Sequence, residues 1–257
     1  MNTSADEDQH RTIRSVEIAF SIIDVLQERT TVGVTELADE LDHSKSTIHS
    51  HLRTLEDQEV IVRENGGYRL SIRTLDMARH VREQIGNYDV VREEVDKLAD
   101  ETGEIAQFGV EEYDRVTYFY KASGARSVET ASRVGKQQPM HSTALGKTIL
   151  AYRPAERVEE TVANLAFAER TPNTITDPEG FRSELETTRE RGYGIDDEEN
   201  IEGLRCIAAP VRTDERVLGA LSISGPSSRF TEERLHGELA DSVTRSANVL
   251  EINTKFS

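Results

Sequence analysis

The stretch HSKSTIHSHLRTL, His43 to Leu55, decides the fold of the N-terminal part of this 257-residue chain. Its apolar residues Ile48, Leu52 and Leu55 follow the i, i+4, i+7 spacing of one face of an α-helix. At about 100° per residue, the opposite face carries hydroxyl, imidazole and guanidinium groups. These are hydrogen-bond formers with little bulk, so we predict a helix whose exposed face approaches a polar partner closely.

Two helices precede this stretch and a hairpin follows it. Helical spacing begins at Arg14, a second short helix has Thr35 as its N-cap, and the quoted helix opens at Asp42 or Ser44. After it, two β-prone runs flank Glu64-Asn65-Gly66-Gly67, and Asn-Gly between such runs is a strong hairpin signal. This order is that of a winged helix-turn-helix, whose third helix enters the DNA major groove while its hairpin lies along the backbone.

In a winged helix-turn-helix, the exposed face of the third helix is expected to contact DNA. Short Ser, Thr and His side chains let a helix approach base edges, and Lys or Arg reaches phosphate or guanine. Residues 11–72 hold seven Lys and Arg against eleven Asp and Glu, a net charge of -4, so the basic groups must be focused on one face. We predict DNA contacts from Arg14, Thr35, Ser44, Lys45, Ser46, Thr47, His49, Ser50, Arg53, Arg63, Asn65 and Arg69.

The composition limits the class of protein. With 31 Lys and Arg against 48 Asp and Glu, the net charge is -17, which disfavours a nonspecific nucleic-acid coat. The acidity and the preference for Arg over Lys resemble proteins of salt-accumulating microbes, where salt screens charges within a few ångströms; an ordinary acidic protein is the alternative.

The single Cys206 excludes an intramolecular disulfide and a multi-cysteine metal site. No apolar run reaches the roughly 18 residues of a membrane span, so we expect a cytoplasmic protein.

The rest of the chain mixes strands and helices without regular βαβ spacing. Apolar strands are predicted near 105–120 and 206–224, and helices near 142–152, 178–191 and 231–252. This mixture predicts an α+β protein with a mainly antiparallel sheet. We expect a disordered acidic tail at 1–10, a winged helix-turn-helix domain at 11–72, a linker helix at 73–87 and a sensor domain at 88–257. The linker helix either pairs with a partner chain or packs on its own domain, and its pattern allows both.

Three segments together resemble the IclR family of bacterial and archaeal transcriptional regulators. They are LADELDHSKSTIHSHLRTLEDQEVI (Leu37–Ile61), PMHSTALGKTILA (Pro139–Ala151), and the pair GLRCIAAPV (Gly203–Val211) with GALSISGPSSR (Gly219–Arg229). The resemblance covers nearly the whole chain, and the acidic composition points to a halophilic archaeon. It implies a C-terminal GAF-like effector-binding domain after the winged helix-turn-helix and the linker helix.

The resemblance also implies partners. Family members form homodimers, often homotetramers, bind palindromic double-stranded DNA operators, and hold a small carboxylate effector such as a keto acid. Carried over to this chain, the effector pocket is expected to be lined by Thr130, Gln138, Ala144, Leu145, Asp196, Leu204, Cys206, Ser222 and Ser224. Gln138 stands where some relatives carry an apolar residue, which favours a more hydroxylated effector such as a sugar acid. No cofactor and no metal are expected.

Elementary chemistry agrees with several of these pocket positions. Ala144 and Leu145 fall in the first turn of a helix, where free backbone N–H groups favour a carboxylate. Ser222 and Ser224 are two residues apart in a strand, so both hydroxyls face the same side. Alternating Ser in a strand is also common on an ordinary solvated face.

Two other functions stay open at this stage. His141, Cys206 and the two Ser hydroxyls offer a nucleophile and a base for an enzyme. However, the chain has no nucleophile elbow, no glycine-rich phosphate loop and no His-Glu-x-x-His helix, so we predict no catalytic residue. Winged helices also bind proteins, but a small polar recognition face favours DNA over an apolar protein surface.

Overall fold

A computed structural model describes residues 12–85, 87–130 and 132–255. The chain divides into two compact units, Met1–Gly86 and Asn87–Ser257, and each has its own hydrophobic core. The predicted acidic tail at 1–10 lies outside the described residues. None of the helices in the described ranges is long and apolar enough to cross a membrane.

The first unit consists of three helices, a hairpin and a fourth helix. Its core is built from the apolar stripes of the helices, and Ile22, Leu37, Ile48 and Leu52 are fully buried in it. The elements are α1 (Arg14–Glu28), α2 (Val34–Glu40), α3 (Lys45–Asp57), β1 (Ile61–Glu64), β2 (Gly67–Leu70) and α4 (Thr74–Ile85). The order predicted for a winged helix-turn-helix is therefore confirmed.

The predicted N-cap of the second helix is wrong. Helix α2 begins at Val34 with Gly33 as its N-cap, and Thr35 lies exposed inside the first turn. The reason is that the Glu36 carboxylate accepts the Gly33 N–H at 2.8 Å. A carboxylate three residues after the N-cap satisfies this free donor, so no hydroxyl cap is needed.

The hairpin of the first unit is closed by Asn65 and Gly66. Both have positive φ, 52° and 83°, which is the backbone geometry of a type I′ turn. Strands β1 and β2 pair antiparallel from Ile61 opposite Leu70 to Glu64 opposite Gly67. The hairpin predicted from Asn-Gly is therefore confirmed.

Helix α4 corresponds to the predicted linker helix. Three of its apolar side chains are exposed: Leu75 at 66%, Val81 at 49%, and Met77 as well. The interpretation in which this helix packs on its own domain is therefore disfavoured, because that packing would bury these side chains.

The second unit is built on one antiparallel sheet of six strands in the order β5-β4-β3-β8-β7-β6. The strands are β3 (Ile105–Glu112), β4 (Arg115–Ser123), β5 (Gln137–Pro139), β6 (Gly194–Asp197), β7 (Leu204–Arg212) and β8 (Val217–Pro226). The helices are α5 (Tyr88–Thr102), α6 (Ala144–Ala151), α7 (Ala155–Asn164), α8 (Pro178–Arg191), α9 (Glu232–Arg234), a π-helical stretch (Leu235–Leu239) and α10 (Ala240–Lys255). The predicted α+β class with an antiparallel sheet is confirmed.

Alternate residues of each strand enter different cores on the two sides of the sheet. In β8, Leu221 and Ile223 pack in the core that contains residues of α5 and α10, whereas Ala220 packs in the core that contains residues of α6 and α8. Side chains two residues apart in a strand share a face. Ser222 therefore points to the side of α6, and this side carries the candidate effector cavity.

Candidate DNA interface and effector cavity

The start of helix α3 is fixed by a hydroxyl. The Ser44 Oγ accepts the Thr47 N–H at 3.1 Å and lies 2.9 Å from the Ser46 Oγ. Ser50 donates its hydroxyl to the Ser46 carbonyl at 3.0 Å. The sequence allowed Asp42 or Ser44 as the first residue of this helix. The structure has Ser44 as the N-cap, and its side chain caps the helix.

Beyond the cap, the predicted recognition face is open. His49, Ser50 and Arg53 are exposed along α3, opposite the buried stripe of Ile48 and Leu52. The His49 imidazole makes no hydrogen bond to other described residues. The His49 and Arg53 side chains therefore present hydrogen-bonding groups that the described part of the unit does not use.

Two of the predicted DNA-contacting arginines are engaged locally. Arg14 Nη1 lies 3.3 Å from the Glu17 carboxylate, and Arg69 Nε lies 2.8 Å from the Glu64 carboxylate. The hydrogen bond from Arg69 lowers the pKa of Glu64. Both ion pairs are solvent-exposed, and such pairs contribute little to stability and exchange readily for other partners.

The other predicted cations are free. Lys45, Arg53 and Arg63 are exposed and form no ion pair with the described part of the chain. Asn65 is exposed at the tip of the hairpin, and Thr35 is exposed on α2. Among the described residues of the first unit, these three cations have no counter-ion, two on α3 and one on the hairpin, in a domain whose acids outnumber its bases.

In the second unit, a small cavity lies between the start of α6 and one face of the sheet. Its volume is about 20 Å³, which is room for about one water molecule. It is lined by Gln107, Tyr118, Thr143, Ala144, Leu145, Asp196, Asn200, Cys206, Ser222 and Ser224.

Strand register brings distant lining residues together. Asp196 on β6 is paired with Cys206 on β7, which is paired with Ser224 on β8. Gln107 on β3 is paired with Ser222 on β8. Because paired residues of adjacent strands project to the same face, their side chains form one polar patch under α6.

Helix α6 supplies the opposite wall. Thr143 is its N-cap and accepts the Gly146 N–H at 3.1 Å, which leaves Ala144 and Leu145 as the first two helical residues. Gly146 is required because a Cβ there would lie 2.3 Å from the Met140 carbonyl oxygen. The tight turn between Met140 and the helix aims the helix start at the sheet.

The structure brings six of the nine predicted pocket residues to this cavity: Ala144, Leu145, Asp196, Cys206, Ser222 and Ser224. The other three lie elsewhere. The Thr130 hydroxyl accepts a hydrogen bond from Lys121 at 3.2 Å, Gln138 is buried in β5 opposite Val116, and Leu204 lies at the start of β7, beyond the cavity.

Four lining residues were not predicted: Gln107, Tyr118, Thr143 and Asn200. The sequence does contain a signal for Gln107. It is an amide within the apolar run IAQFGV, and a buried amide needs a hydrogen-bond partner or a ligand. Its Nε2 is buried without a hydrogen-bond partner among the described residues. Asn200 gave no such signal, because its position depends on the turn after β6.

Asp196 is held in place by backbone N–H groups. It is 2% exposed, and its Oδ1 accepts from Glu199 N at 2.8 Å and from Asn200 N at 3.2 Å. Burial raises the pKa of Asp196 to about 7, against an opposing effect of the Lys147 ammonium. The sequence places this residue in an acidic run typical of solvent, yet it is one of the more deeply buried polar residues.

Behind the cavity lies a buried ion pair. Lys147 on α6 is 1% exposed; its Nζ contacts the Glu199 carboxylate and lies 3.6 Å from Glu184 Oε1 of α8. The Glu199 Oε2 has no hydrogen-bond partner in the described ranges, and burial raises the pKa of this carboxyl.

The geometry does not arrange a nucleophile. Burial raises the pKa of the Cys206 thiol well above its usual range, which suppresses the reactive thiolate. His141 is not at the cavity; its Nε2 lies 3.1 Å from the Ala168 carbonyl, and burial lowers its pKa. Among the described residues no group of three His, Cys, Asp or Glu is placed to hold a metal ion.

Comparison with known proteins gives matches over nearly the whole chain. The helix-turn-helix domain of the IclR family matches residues 15–64, and the C-terminal domain of the bacterial transcriptional regulator IclR matches residues 83–251. The chain is 34% identical over 254 residues to a probable HTH-type transcriptional regulator, ArcR, of Halobacterium salinarum, with 97% of each chain covered. This haloarchaeal relative agrees with the acidic composition.

Two crystal structures illustrate the similarity in fold. IclR of Thermotoga maritima has a TM-score of 0.79 and 28% identity, with 94% of this chain and 99% of that chain covered. An IclR homologue from Microbacterium hydrocarbonoxydans complexed with 4-hydroxybenzoate has a TM-score of 0.76 and 22% identity, with 93% and 100% covered.

Proposed function

Because this chain belongs to the IclR family of transcriptional regulators, we propose that its first unit binds a palindromic operator and that a small carboxylate in its second unit controls this binding. The observation that carries the DNA part is the exposed face of α3, where Lys45 and Arg53 have no ion pair within the described chain. Arg53 reaches guanine, Lys45 reaches phosphate, and Ser46, His49 and Ser50 contact base edges.

The hairpin and the flanking helices position α3 on the duplex. Arg63 and Asn65 of the hairpin contact the sugar-phosphate backbone, and Arg69 joins them by exchanging its exposed Glu64 partner for a phosphate. The contact surface is completed by Arg14, Thr35 and the N-cap region of Ser44 and Thr47. Phosphate contacts of this kind set the register of the protein on DNA, while the base contacts of α3 supply sequence specificity.

A palindromic operator requires two copies of the recognition helix, so the active species is a homodimer or a dimer of dimers. The exposed apolar residues Leu75 and Val81 of α4 are the surface for pairing with a second copy. Sedimentation of a Leu75→Glu protein tests this: we expect a shift to smaller species, and an unchanged mass contradicts pairing through α4.

The chemistry of the cavity favours a hydroxylated carboxylate. The N–H groups at Ala144 and Leu145 suit a carboxylate at the start of α6. The hydrogen bonds from the Ser222 and Ser224 hydroxyls to Gln107 are long, at 3.5 Å, and the Gln107 Nε2 makes none within the described chain. These groups suit the hydroxyls of a sugar acid or the carbonyl of a keto acid, and the 4-hydroxybenzoate held by a relative is likewise a small carboxylate.

The cavity of about 20 Å³ is too small for such a molecule, so binding must open it. An effector that binds only the open form shifts the population towards that form. If the open and closed forms also differ in operator affinity, the effector controls DNA binding through that difference.

Genome-wide occupancy of the tagged protein in its own cells tests the DNA function. We expect discrete peaks that share an inverted repeat and that disappear in an Arg53→Ala strain. The matched control is Arg29→Ala, which removes the same charge from a residue that pairs with Glu40 at 2.6 Å. Occupancy without discrete peaks in the unmutated strain contradicts the proposal and supports a winged helix that binds proteins.

A thermal-shift screen of keto acids, sugar acids and their neutral analogues tests the effector part. We expect carboxylates to raise the melting temperature and Ser222→Ala to reduce the shift. A screen in which only neutral compounds stabilise the protein contradicts the carboxylate assignment.

A further inference from the structure

Four ionisable side chains behind the cavity form what we call the charge cluster: Lys147 of α6, Glu184 of α8, Asp196 of β6 and Glu199 in the turn after β6. Lys147, Asp196 and Glu199 are buried, and Glu184 is half-buried. Within the described ranges, Lys147 is the only buried Lys or Arg. The cluster therefore has a single buried cation for three carboxyl groups.

The pairing within the cluster leaves one carboxyl group without a counter-ion. Glu199 is bound by Lys147, and Glu184 is shared between Lys147 at 3.6 Å and Arg191 at 3.4 Å. The Asp196 Oδ1 accepts two backbone N–H groups, the Cys206 side chain also contacts this carboxylate, and no ion pair joins it to a cation in the described chain. Asp196 is also the member of the cluster that lines the cavity.

The other charged or titratable groups near Asp196 do not supply the missing cation. Burial raises the pKa of the Tyr118 phenol on β4 and of the Cys206 thiol on β7, so both stay neutral. In the loop before α8, the Arg170 guanidinium is directed at the Asn200 carbonyl, 3.4 Å away. An effector carboxylate would thus meet a like charge that has no ion-pair partner of its own whenever Asp196 is ionised.

We propose that an anionic effector enters the cavity together with one proton, which comes from solvent and is held on Asp196 Oδ2, so that effector binding is coupled to proton uptake. This inference rests on the proposed function, because it concerns the same cavity and the same class of effector. Both backbone N–H bonds go to Oδ1, so Oδ2 is the oxygen available for the proton. A protonated Oδ2 donates a hydrogen bond to the effector carboxylate, and such charge-assisted bonds are strong.

Lys147 and Glu199 act as positioning residues in this arrangement. The ammonium holds the Glu199 side chain, and the Glu199 N–H holds the Asp196 Oδ1 at 2.8 Å. A proton on Asp196 is accessible near neutral pH, because burial raises the pKa of this carboxyl to about 7. Below that pH the site already holds its proton; above it, the proton must be taken up when the anion binds.

Calorimetric titration with gluconate and with pyruvate from pH 6 to pH 8.5 tests the proposal, since both probes stay anionic over this range. We expect the dissociation constant to rise up to roughly tenfold per pH unit above the Asp196 pKa. At pH 8, we expect the measured heat to depend on the ionisation enthalpy of the buffer, as it does when about one proton is taken up.

Asp196→Asn is the decisive variant. Asn keeps the Oδ1 acceptor and presents an N–H where the protonated acid has its O–H, so binding at pH 8 should stay within about threefold of binding at pH 6, without proton uptake. The control is Glu202→Gln, which removes the same charge from an exposed residue and should keep the pH dependence of the unmutated protein.

The outcomes separate this inference from the proposed function. Tight binding by the unmutated protein that is independent of pH and buffer overturns proton coupling and leaves the carboxylate site standing. Failure of both probes to bind at every pH contradicts the carboxylate site itself and this inference with it. If Asp196→Asn fails to fold, the dependence of the binding heat on the buffer, measured with the unmutated protein, still tests whether a proton is taken up.

Discussion

Helix α3 and the charge cluster both carry ionic groups, but in opposite environments. Lys45 and Arg53 are exposed and make no ion pair in the described chain, so water solvates them. Lys147 is buried against Glu199, and Asp196 is buried on backbone N–H groups. An exposed charge contributes little to the fold, whereas a buried charge constrains it. A substitution in α3 should therefore change DNA binding alone, and one in the cluster should change stability as well.

The largest difference is expected when the same substitution is made in both regions. Lys147→Met leaves Glu199 buried without its cation, which should lower the free energy of unfolding by about 3–5 kcal/mol. Lys45→Met removes an exposed charge and should change it by less than about 0.5 kcal/mol. Denaturant unfolding at constant salt measures both. The double variant Lys147→Met/Glu199→Leu should recover most of the lost stability. Equal changes in the free energy of unfolding for Lys147→Met and Lys45→Met would contradict the difference between buried and exposed charges.

The pH dependence of stability gives the next largest effect. The folded chain keeps a proton on Asp196 up to a pKa of about 7, whereas an unfolded chain loses it near pH 4. Since the folded state binds more protons between these values, the contribution of Asp196 to the free energy of unfolding falls as the pH rises from about 4 to 7.

Asp196→Asn removes this titration. Relative to the unmutated protein, the variant should gain roughly 2–4 kcal/mol of stability when the pH is raised from 4 to 8. Unfolding curves of both proteins at these pH values measure the gain. A constant difference between the two proteins would show that Asp196 titrates normally and would contradict its buried environment.

On the exposed side of the comparison, Arg53→Ala should weaken operator binding by about 1–3 kcal/mol if Arg53 contacts a guanine. Its free energy of unfolding should stay the same, because the side chain has no ion pair to lose. Quantitative binding to the operator found by occupancy mapping measures the first quantity, and denaturant unfolding the second. An unchanged affinity would place Arg53 outside the interface.

The smallest effect is expected for Lys45→Ala. A lysine on phosphate contributes mainly through counterion release, so its loss should reduce the slope of log affinity against log salt by about one. In concentrated salt the two proteins should bind with nearly equal affinity. A slope equal to that of the unmutated protein would mean that Lys45 does not contact phosphate.

Much of the first unit was predictable because its signals are local. The spacing of Ile48, Leu52 and Leu55 defines the buried face of α3, and Asn65-Gly66 defines the hairpin turn. Even here, the predicted N-cap at Thr35 is wrong, although a hydroxyl before an apolar pattern is a common cap signal. The competing Glu36 carboxylate, which satisfies the Gly33 N–H, decided the helix start.

The second unit was predictable only in part. The alternation of Ser222 and Ser224, and the helix start at Ala144, are local patterns, and both proved to line one cavity. Strand β6 was missed because its sequence continues into the acidic run of Asp196 to Glu199, whose composition is typical of an exposed loop. Acidic composition predicts that these residues are exposed to solvent. Their actual burial is set by packing between the edge of the sheet and a helix, which composition does not show.

The sequence by itself determined the helices of the first unit with their stripes, the hairpin, the α+β class and the family, because each depends on periodicity or on motifs a few residues long. Only the tertiary structure decided which charges are buried. Lys147 and Glu199 meet across 52 residues, and Asp196 joins Cys206 and Ser224 through strand register. Burial and ion pairing depend on the surroundings in space, and these surroundings come from elements that are distant along the chain.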